Sequence, residues 1–364
     1  MESKPTKVAV IGAGSFGKNH ARAWYELQNE GSPIELVSVV DADLTRAREH
    51  ASKYNVAAYS SVDELLKNAK PDAVSVAVPT IHHAEVARRL MEAGVDVLIE
   101  KPIAATLAQA DEIIAIAAKN NRIGMVGHLE RFNPAVRATV PLLNHPMFFE
   151  VHRLSVFTPR ALDVDVVLDL MIHDIDIVLS FVNSPVKEIR AVGLPILSPK
   201  VDICNVRVEF ESGCVANLTA SRVSTERVRK LRFFQPKQYI SVDYGRQDVL
   251  VFSVSKPLTG KPAPRPQPTV PDPRTGVFAI PELLAAQQAF SGAAVLAQAG
   301  ISMSKPAVAQ EEPLKAELKA FLRAVRERSQ PDVSLAEGRR ALALALSILD
   351  EVQHHAQKFG LTHI

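Results

Sequence analysis

The chain has 364 residues, of which 47% are hydrophobic and 23% charged, and this globular composition excludes global disorder. At roughly 150 residues per domain, the length predicts two domains. The formal net charge of +2, without a long basic tract, argues against nucleic acid or a membrane surface as the main partner.

The number of cysteines and the N-terminal sequence indicate in which cellular compartment the protein is expected. Cys204 and Cys214 are the two cysteines, too few for a disulfide framework and without zinc-ligand spacing. The N-terminal sequence enters a strand pattern almost at once, which leaves no room for a signal peptide. No run of about 18 apolar residues indicates a membrane span. These features predict a soluble cytoplasmic protein.

Short apolar runs alternate with amphipathic segments from residue 7 to about 126. The runs are KVAVIGAG, ELVSVVDAD, DAVSVAVP, VDVLIEKP and RIGMVGH, and the helical patterns lie at 17–30, 45–54, 83–93 and 107–120, with VDELLKN between the second and third runs. Apolar strands joined by helices are typical of a parallel sheet covered on both faces. We therefore predict a doubly wound Rossmann domain over residues 1–126.

A glycine-rich hexamer directly follows the first run and opens a helical pattern. Its residues Gly12, Ala13, Gly14, Ser15, Phe16 and Gly17 fit G-x-G-x-x-G, the motif that brings backbone and a helix N-terminus close to a pyrophosphate. Asp41 follows 24 residues after Gly17, and a carboxylate there binds ribose hydroxyls and repels a 2′-phosphate. The pattern favours NAD over NADP, although Arg46 lies nearby. The alternative, a glycine turn that binds nothing, is disfavoured by the strand and helix around it.

The run VDVLI ends in Glu100, Lys101 and Pro102. Proline disfavours helix at the residue before it, so Lys101 is expected to be extended where the strand ends. A charged amine held at a strand end is a candidate for chemistry.

The pattern of predicted secondary structure changes after His128. Seven strand-like segments succeed one another with short turns and little helix, and in NVRVEFESGCVANL apolar and polar residues alternate on both sides of a turn. This predicts an α+β domain over 127–364 with a large, mainly antiparallel, open sheet. Residues 256–276 carry seven prolines and are predicted to form an exposed loop. Helical patterns over about 313–358 are expected to return and brace the first domain.

Residues 166–182, VVLDLMIHDIDIVLSFV, form a mostly apolar helical pattern with a polar stripe. Asp169, His173 and Asp176 stand at i, i+4 and i+7, so they are expected to share one face. The stripe is either a catalytic pair or a core histidine satisfied by an aspartate. Asp174 lies off that face and is expected to cap or pair elsewhere.

These motifs in this order resemble the Gfo/Idh/MocA oxidoreductase family over essentially the whole chain. The resemblance rests on GAGSFG, EKP and DLMIHDIDI, on VPTIHHAEVA after the third run, and on the C-terminal stretch from EEPLKAELKAFL to EGRRALALA.

The resemblance implies that Lys101 lies beside the nicotinamide and the substrate hydroxyl, while His173, with Asp169, acts in proton transfer. Which of Lys101 and His173 is the base stays open. Glu100 belongs to the implied cofactor site, as do Pro79, Thr80 and His83 of the cofactor-side loop, although Thr80 stands where the family has asparagine. Met171 replaces a glycine common in the family, so the substrate pocket is expected to differ there.

GHLERFNPAV at 127–136 resembles the nucleotide-sugar branch of the family, which oxidises UDP-N-acetylglucosamine at C3 with NAD. In that branch a pyridoxal-phosphate aminotransferase takes the 3-keto sugar, in some bacteria for lipid A. Guanidinium groups suit a pyrophosphate. The candidate substrate residues here are Glu130, Arg131, Asn133, Arg153 and Arg160; the alternatives are surface arginines and a helix cap at Asn133.

The resemblance leads to the hypothesis of an NAD-dependent sugar or nucleotide-sugar dehydrogenase. The rival hypotheses are an inositol or free-sugar dehydrogenase and a catalytically silent NAD-binding regulator. No metal is expected, because the histidines lack ligand spacing and hydride transfer needs none. The covered face of the antiparallel sheet must be buried, and related proteins bury theirs against a second subunit, so we expect a homodimer or homotetramer.

Overall fold

The first six strands form one parallel sheet in the computed structural model, which describes residues 4–158, 164–254 and 300–360. The strands are β1 Thr6–Ile11, β2 Ile34–Val40, β3 Ala57–Tyr59, β4 Ala73–Val76, β5 Asp96–Glu100 and β6 Gly124–Gly127. Their order is β3-β2-β1-β4-β5-β6, so the carboxyl ends of β1 and β4 flank the point where the order reverses. Doubly wound sheets bind ligands in that crevice. The predicted Rossmann fold is confirmed.

Helices cover both faces of this sheet. They are α1 Gly17–Asn29, α2 Leu44–Ser52, α3 Val62–Asn68, α4 His83–Glu92 and α5 Leu107–Lys119. Asp43, Ser61 and Thr106 cap three of them, each side chain accepting a backbone N–H of the first turn. The pattern does not predict β3, because three residues are too few to show a strand period.

The second sheet has eight strands in the order β14-β13-β12-β11-β7-β10-β9-β8. They are β7 Phe148–Leu154, β8 Val186–Leu194, β9 Ile203–Phe210, β10 Val215–Ser221, β11 Val228–Gln235, β12 Gln238–Asp243, β13 Asp248–Val254 and β14 Ile301–Ser304. All neighbours are antiparallel except β7 and β10, so the predicted sheet class is confirmed. The predicted hairpin joins β9 to β10, and Gly213 at its turn has a φ of +83°.

Four helices belong to the C-terminal part: α6 Pro134–Thr139, α7 Ile172–Phe181, α8 Pro313–Glu327 and α9 Leu335–Lys358. Helix α8 buries Leu318 and Phe321 in the core of the parallel sheet. Helix α9 contributes Leu342 to that core and Ile348 to the core of the second sheet. These contacts support our proposal of two domains, 1–126 and 127–364, with the helices of about 313–358 bracing the first.

The predicted proline-rich loop at 256–276 falls outside the described residues. Cys204 and Cys214 are buried and free, and burial raises the pKa of both thiols, to about 12 and about 11. Among the described residues, no helix has the length and apolar character needed to span a bilayer.

Candidate active site

The glycine-rich loop that follows β1 has no room for a side chain at two of its three glycines. Gly12 has a φ of +94°, and a Cβ there would lie 2.4 Å from the carbonyl oxygen of Ala77. A Cβ on Gly17 would lie 1.6 Å from the Gly12 oxygen, so only glycine closes the turn that starts α1. A Cβ on Gly14 would meet nothing within 4 Å, which leaves open space over the loop. This cradle fits a pyrophosphate against backbone N–H groups.

Asp41, at the end of β2, is tied to this loop. Its carboxylate accepts the Ala13 N–H at 2.7 Å and the Asp43 N–H at 2.9 Å, and Arg46 Nη1 lies 3.5 Å from its Oδ1. A carboxylate accepts about four hydrogen bonds, so Asp41 retains capacity for ribose hydroxyls. Arg46 is half exposed and pairs with Asp41, which places it at the predicted edge of the adenosine site.

The remaining residues predicted on the cofactor side differ in exposure. Ser15, Phe16 and Pro79 are exposed, and Thr80 starts a 3₁₀ turn over 80–82. His83 is buried instead: its Nδ1 lies 2.9 Å from the Pro102 oxygen and its Nε2 lies 3.0 Å from the Val78 oxygen. Burial lowers the pKa of His83, and its neutral ring has one N–H, which donates to one of these two oxygens. The cofactor contact of His83 stays a prediction. Its ring holds together the loops that follow β4 and β5.

Lys101 joins the end of β5 to the polar segment before α7. Its Nζ donates to the Asp169 backbone oxygen at 2.6 Å and lies 3.7 Å from Asp169 Oδ1, and its side chain is 9% exposed. Asp169 sits in a π-helical turn, Val167–Met171, which precedes α7. Such turns are frequent at functional sites because they displace the backbone from regular helix geometry.

His173 follows this turn, on the first turn of α7. Burial lowers the pKa of its imidazole well below 6.5, and the positive charges of Lys101 and Arg153 lower it further. Its Nδ1 is shielded from solvent and has no hydrogen-bond partner among the described residues. A neutral imidazole with free nitrogen is a proton acceptor at neutral pH.

Asp176 was predicted to share one helix face with Asp169 and His173. Asp176 is 2% exposed and accepts Arg131 Nε at 2.7 Å, so it belongs to an internal ion pair. The π turn also changes the angular spacing that a regular helix would give. Met171 is buried in the second core rather than in a pocket.

Two of the arginines predicted to bind substrate phosphates form internal ion pairs with carboxylates. Arg131 bonds Asp176 and also Glu337 of α9, at 3.0 Å. Arg153 is 4% exposed and bonds Asp174 at 2.6 and 2.9 Å and Glu130 at 3.0 Å. Their guanidinium forks are occupied by carboxylates, and neither arginine is the surface residue considered as the alternative. Asp174 does pair elsewhere, as expected.

Glu130 and Asn133 are structural in this geometry. Glu130 pairs with Arg153, at 3.0 Å. Asn133 is 3% exposed and caps α6 by accepting the Ala135 N–H at 3.1 Å. Its Nδ2 donates to the backbone carbonyl oxygen of Tyr244. The capping alternative is therefore the correct one. Arg160, the remaining candidate, lies outside the described residues.

A buried cluster behind Glu100 was not predicted. His20 Nε2 lies 2.7 Å from Glu100 Oε1, and Glu317 of α8 is fully buried without a hydrogen-bond partner for either oxygen among the described residues. The three groups lie within 4.8 Å of one another. Ligands of tetrahedral zinc, at bonds of ~2.0 Å, lie roughly 3.3 Å apart, so the 2.7 Å contact is a hydrogen bond and not a ligand pair.

Burial and the nearby Glu100 carboxylate raise the pKa of Glu317 well above its ordinary 4.5. For Glu100, burial raises the pKa, but the hydrogen bond with His20 and the charge of Lys101 lower it overall. These opposite shifts favour the protonated form of Glu317 and the ionised form of Glu100. This arrangement places a fixed negative charge directly before Lys101.

We expect Glu317→Gln to stabilise the protein at pH 8 by about 1 to 2 kcal/mol. The unfolded chain releases the Glu317 proton above a pKa of 4.5 and the folded chain retains it, so folding costs more as pH rises. Glutamine keeps the shape and removes this cost. Thermal melts at pH 5 and pH 8 measure it: the gain in melting temperature should be larger at pH 8.

The exposed Glu112→Gln serves as the matched control and should change neither melt. A Glu317→Gln variant that is less stable than wild type at pH 8 would show that Glu317 is ionised and paired in the folded protein.

A cavity of about 260 Å³ connects these parts. Its walls include Phe16 of the glycine-rich loop, Glu100, His173, and Leu314 of α8. The dinucleotide loop, the end of β5 and the start of α7 thus converge on one space. The bracing of the first domain by α8 was expected, but the approach of Leu314 to this cavity was not, since Leu314 is almost 300 residues from Phe16 in the sequence.

Comparison with known proteins agrees with this architecture. Residues 6–128 match the family model of the Gfo/Idh/MocA oxidoreductases, described as an NAD-binding Rossmann fold, and residues 138–240 match the family's C-terminal domain. A UDP-N-acetylglucosamine 3-dehydrogenase of Acidithiobacillus ferrooxidans is 32% identical over 97% of this chain and 99% of its own. A solved structure of that enzyme, covering the same shares of both chains, superposes with a TM-score of 0.79. Inositol 2-dehydrogenase 1 of Paenarthrobacter aurescens is 28% identical over 59% of this chain and 67% of its own.

Proposed function

The chain belongs to the Gfo/Idh/MocA family of NAD-binding oxidoreductases, and on that premise we propose that it oxidises the 3-hydroxyl of UDP-N-acetylglucosamine to a ketone. The similarity to the Acidithiobacillus ferrooxidans enzyme, which extends over nearly the full length of both chains, supports this substrate. The single structural observation behind the proposed chemistry is the contact between Lys101 Nζ and Asp169, beside His173.

The cofactor site we propose extends from the glycine-rich loop to the end of β5. Gly12, Gly14 and Gly17 form the cradle, Ser15 and Phe16 border it, and Asp41 accepts ribose hydroxyls. Arg46 borders the adenosine side of the site, and Pro79 and Thr80 border its loop side. Glu100 places a negative charge next to Lys101. NAD, when bound, supplies the hydride acceptor for the carbinol carbon.

The proposed catalytic residues are Lys101, Asp169 and His173. Hydride leaves carbon only as the hydroxyl proton is removed, so a base must stand beside that oxygen. His173 suits this role because its imidazole is neutral. The Lys101 ammonium stabilises the negative charge that develops on the oxygen, and Asp169 positions Lys101. If Lys101 is instead the base, His173 orients the hydroxyl.

The test is NADH formation from NAD and UDP-N-acetylglucosamine, measured by absorbance. A pyridoxal-phosphate aminotransferase with glutamate is added, because removal of the keto sugar drives the oxidation forward. We expect a rate that depends on both NAD and the UDP moiety. Turnover of free sugars or inositols in place of the UDP-sugar would contradict the substrate and favour the inositol alternative, which the Paenarthrobacter aurescens relative supports.

A downstream aminotransferase and a cytoplasmic location accompany this proposal. A 3-keto sugar is unstable, so an enzyme that consumes it is expected to act close by. The free buried thiols Cys204 and Cys214 agree with a reducing compartment.

We also propose a homodimer or homotetramer, although the structure changes the reason. The face expected to need a second subunit is covered within the chain by α7 and α9. The opposite face instead carries an aromatic band with ring centroids 5.0 to 5.7 Å apart, formed by Phe148, Phe234, Tyr239 and Phe252. Phe234 is 39% exposed and Met303, on β14, 53%. Such a patch is suited to an isologous interface.

Sedimentation at micromolar concentration tests the assembly. We expect a mass two or four times that of one chain, and a Phe234→Glu variant should sediment as a smaller species, because it places charge in the interface. A wild-type monomer would contradict the proposal.

A further inference from the structure

A concave cationic cavity of about 510 Å³ lies where β11 begins and β12 ends. Four cationic residues line it, against two acidic ones. The cationic residues are Arg227, Arg229, Lys230 and Arg246, and the acidic ones are Glu226 and Asp243. The cavity therefore carries excess positive charge, which focuses anions.

Two of these four cations share a carboxylate partner: Lys230 Nζ and Arg246 Nε lie 3.8 and 4.0 Å from the same Asp243 oxygen. The other two, Arg227 and Arg229, are available to a ligand. Arg227 and Arg229 have no acidic partner within 4.0 Å in the described part of the chain, and both side chains are exposed. Guanidinium groups without carboxylates retain their donors for phosphate oxygens.

Arg229 also lies on the side of the sheet that faces α7. In the β7–β11 register it stands opposite Arg153, and the next residue on its face, Leu231, is fully buried in the second core. Partial desolvation and the charge of Arg153 lower the pKa of Arg229. Arg229 is in turn among the charges that lower the pKa of His173, which places it near the proposed catalytic histidine.

We propose that this cavity binds the diphosphate of a nucleoside-diphosphate sugar, with Arg229 and Arg227 as its ligands. The inference rests on the proposed function, because the sugar ring must lie between this cavity and the Lys101 and His173 site. In such a substrate the diphosphate is attached at C1, two ring carbons from the C3 that is oxidised. An anion beside Arg229 would also relieve its repulsion from Arg153.

This assignment replaces the arginines predicted from sequence. Arg131 and Arg153 precede α7 and bond its carboxylates, whereas Arg227 and Arg229 lie where β11 begins and have no carboxylate partner within 4.0 Å among the described residues. Within β11 the strand period places Arg229 and Leu231 on one side of the sheet, and Arg227 directly precedes the strand.

The experiment uses the full chain, saturated with NAD so that the dinucleotide loop is filled, and UDP as the probe in calorimetry. We expect Arg229→Gln and Arg227→Gln each to weaken UDP binding by roughly tenfold to a hundredfold. The KM for UDP-N-acetylglucosamine should rise by a similar factor and kcat should change less. Arg229→Lys keeps the charge without the fork, so its affinity should be intermediate.

Arg190→Gln is the matched control, because Arg190 is an exposed arginine on β8, an edge strand that three strands separate from β11. It should bind UDP as wild type does, and unchanged thermal melts confirm that all variants fold. If both cavity variants bind UDP as tightly as wild type while the UDP-sugar is still oxidised, the cavity assignment is wrong and the proposed function stands. If wild type neither binds UDP nor oxidises the UDP-sugar but oxidises an inositol, the cavity assignment and the proposed function are both wrong.

Discussion

Replacing Lys101 by methionine is expected to lower kcat by about 10²- to 10⁴-fold while NAD binding is retained. The Lys101 ammonium is nearly buried and lies against Asp169, so its charge acts at short range on the oxygen from which the proton leaves. Methionine has a similar length and no charge. Initial rates with the UDP-sugar and calorimetric titration with NAD measure the two effects separately.

A Lys101→Arg variant distinguishes the two proposed bases. Arginine keeps the positive charge but does not deprotonate near neutral pH. If Lys101 acts by its charge, this variant should retain much more activity than the methionine variant; if Lys101 is the base, both should be equally inactive. The exposed Lys53→Met provides the control and should match wild type. A Lys101→Met enzyme within about threefold of wild type would remove Lys101 from the catalytic site.

The fold could be predicted because its signals are local. Alternating apolar runs and amphipathic helices define the first sheet. Glycine is required at Gly12 by its φ of +94° and at Gly17 by the Gly12 oxygen of the same turn. The carboxylate at Asp41 follows the next strand, which places it beside that turn in any doubly wound sheet. Strand period likewise defines most of the second sheet.

The partners of the charged residues could not be predicted, because they depend on long-range packing. Arg153 and Arg131 were candidate phosphate ligands in the sequence, but in the structure they bond Asp174 and Asp176 of α7. A sequence shows that a buried charge needs a partner, not which partner it has. Glu317 illustrates the same limit, since it enters the site only when α8 packs on the first domain.

The second large effect concerns His173. We expect His173→Gln to lower kcat by about 10²- to 10⁴-fold, because glutamine keeps a polar group and cannot accept the proton. In wild type the pKa of His173 lies well below 6.5, so kcat/KM should stay flat through neutral pH and fall only on the acid side of 6.5. The acid limb should be absent from the residual activity of His173→Gln. The exposed His82→Gln should leave the profile unchanged.

The same profile tests how the two residues are coupled. The Lys101 charge lowers the pKa of His173, so its removal should raise that pKa and move the acid limb of the residual Lys101→Met activity to higher pH. Arginine at position 101 restores the charge and should leave the limb near its wild-type position. An acid limb that stays fixed in Lys101→Met would mean that the titrating group is not His173 beside Lys101. A limb that moves would instead show that Lys101 keeps His173 neutral, so one lysine would both stabilise charge on the substrate oxygen and maintain the base that takes its proton.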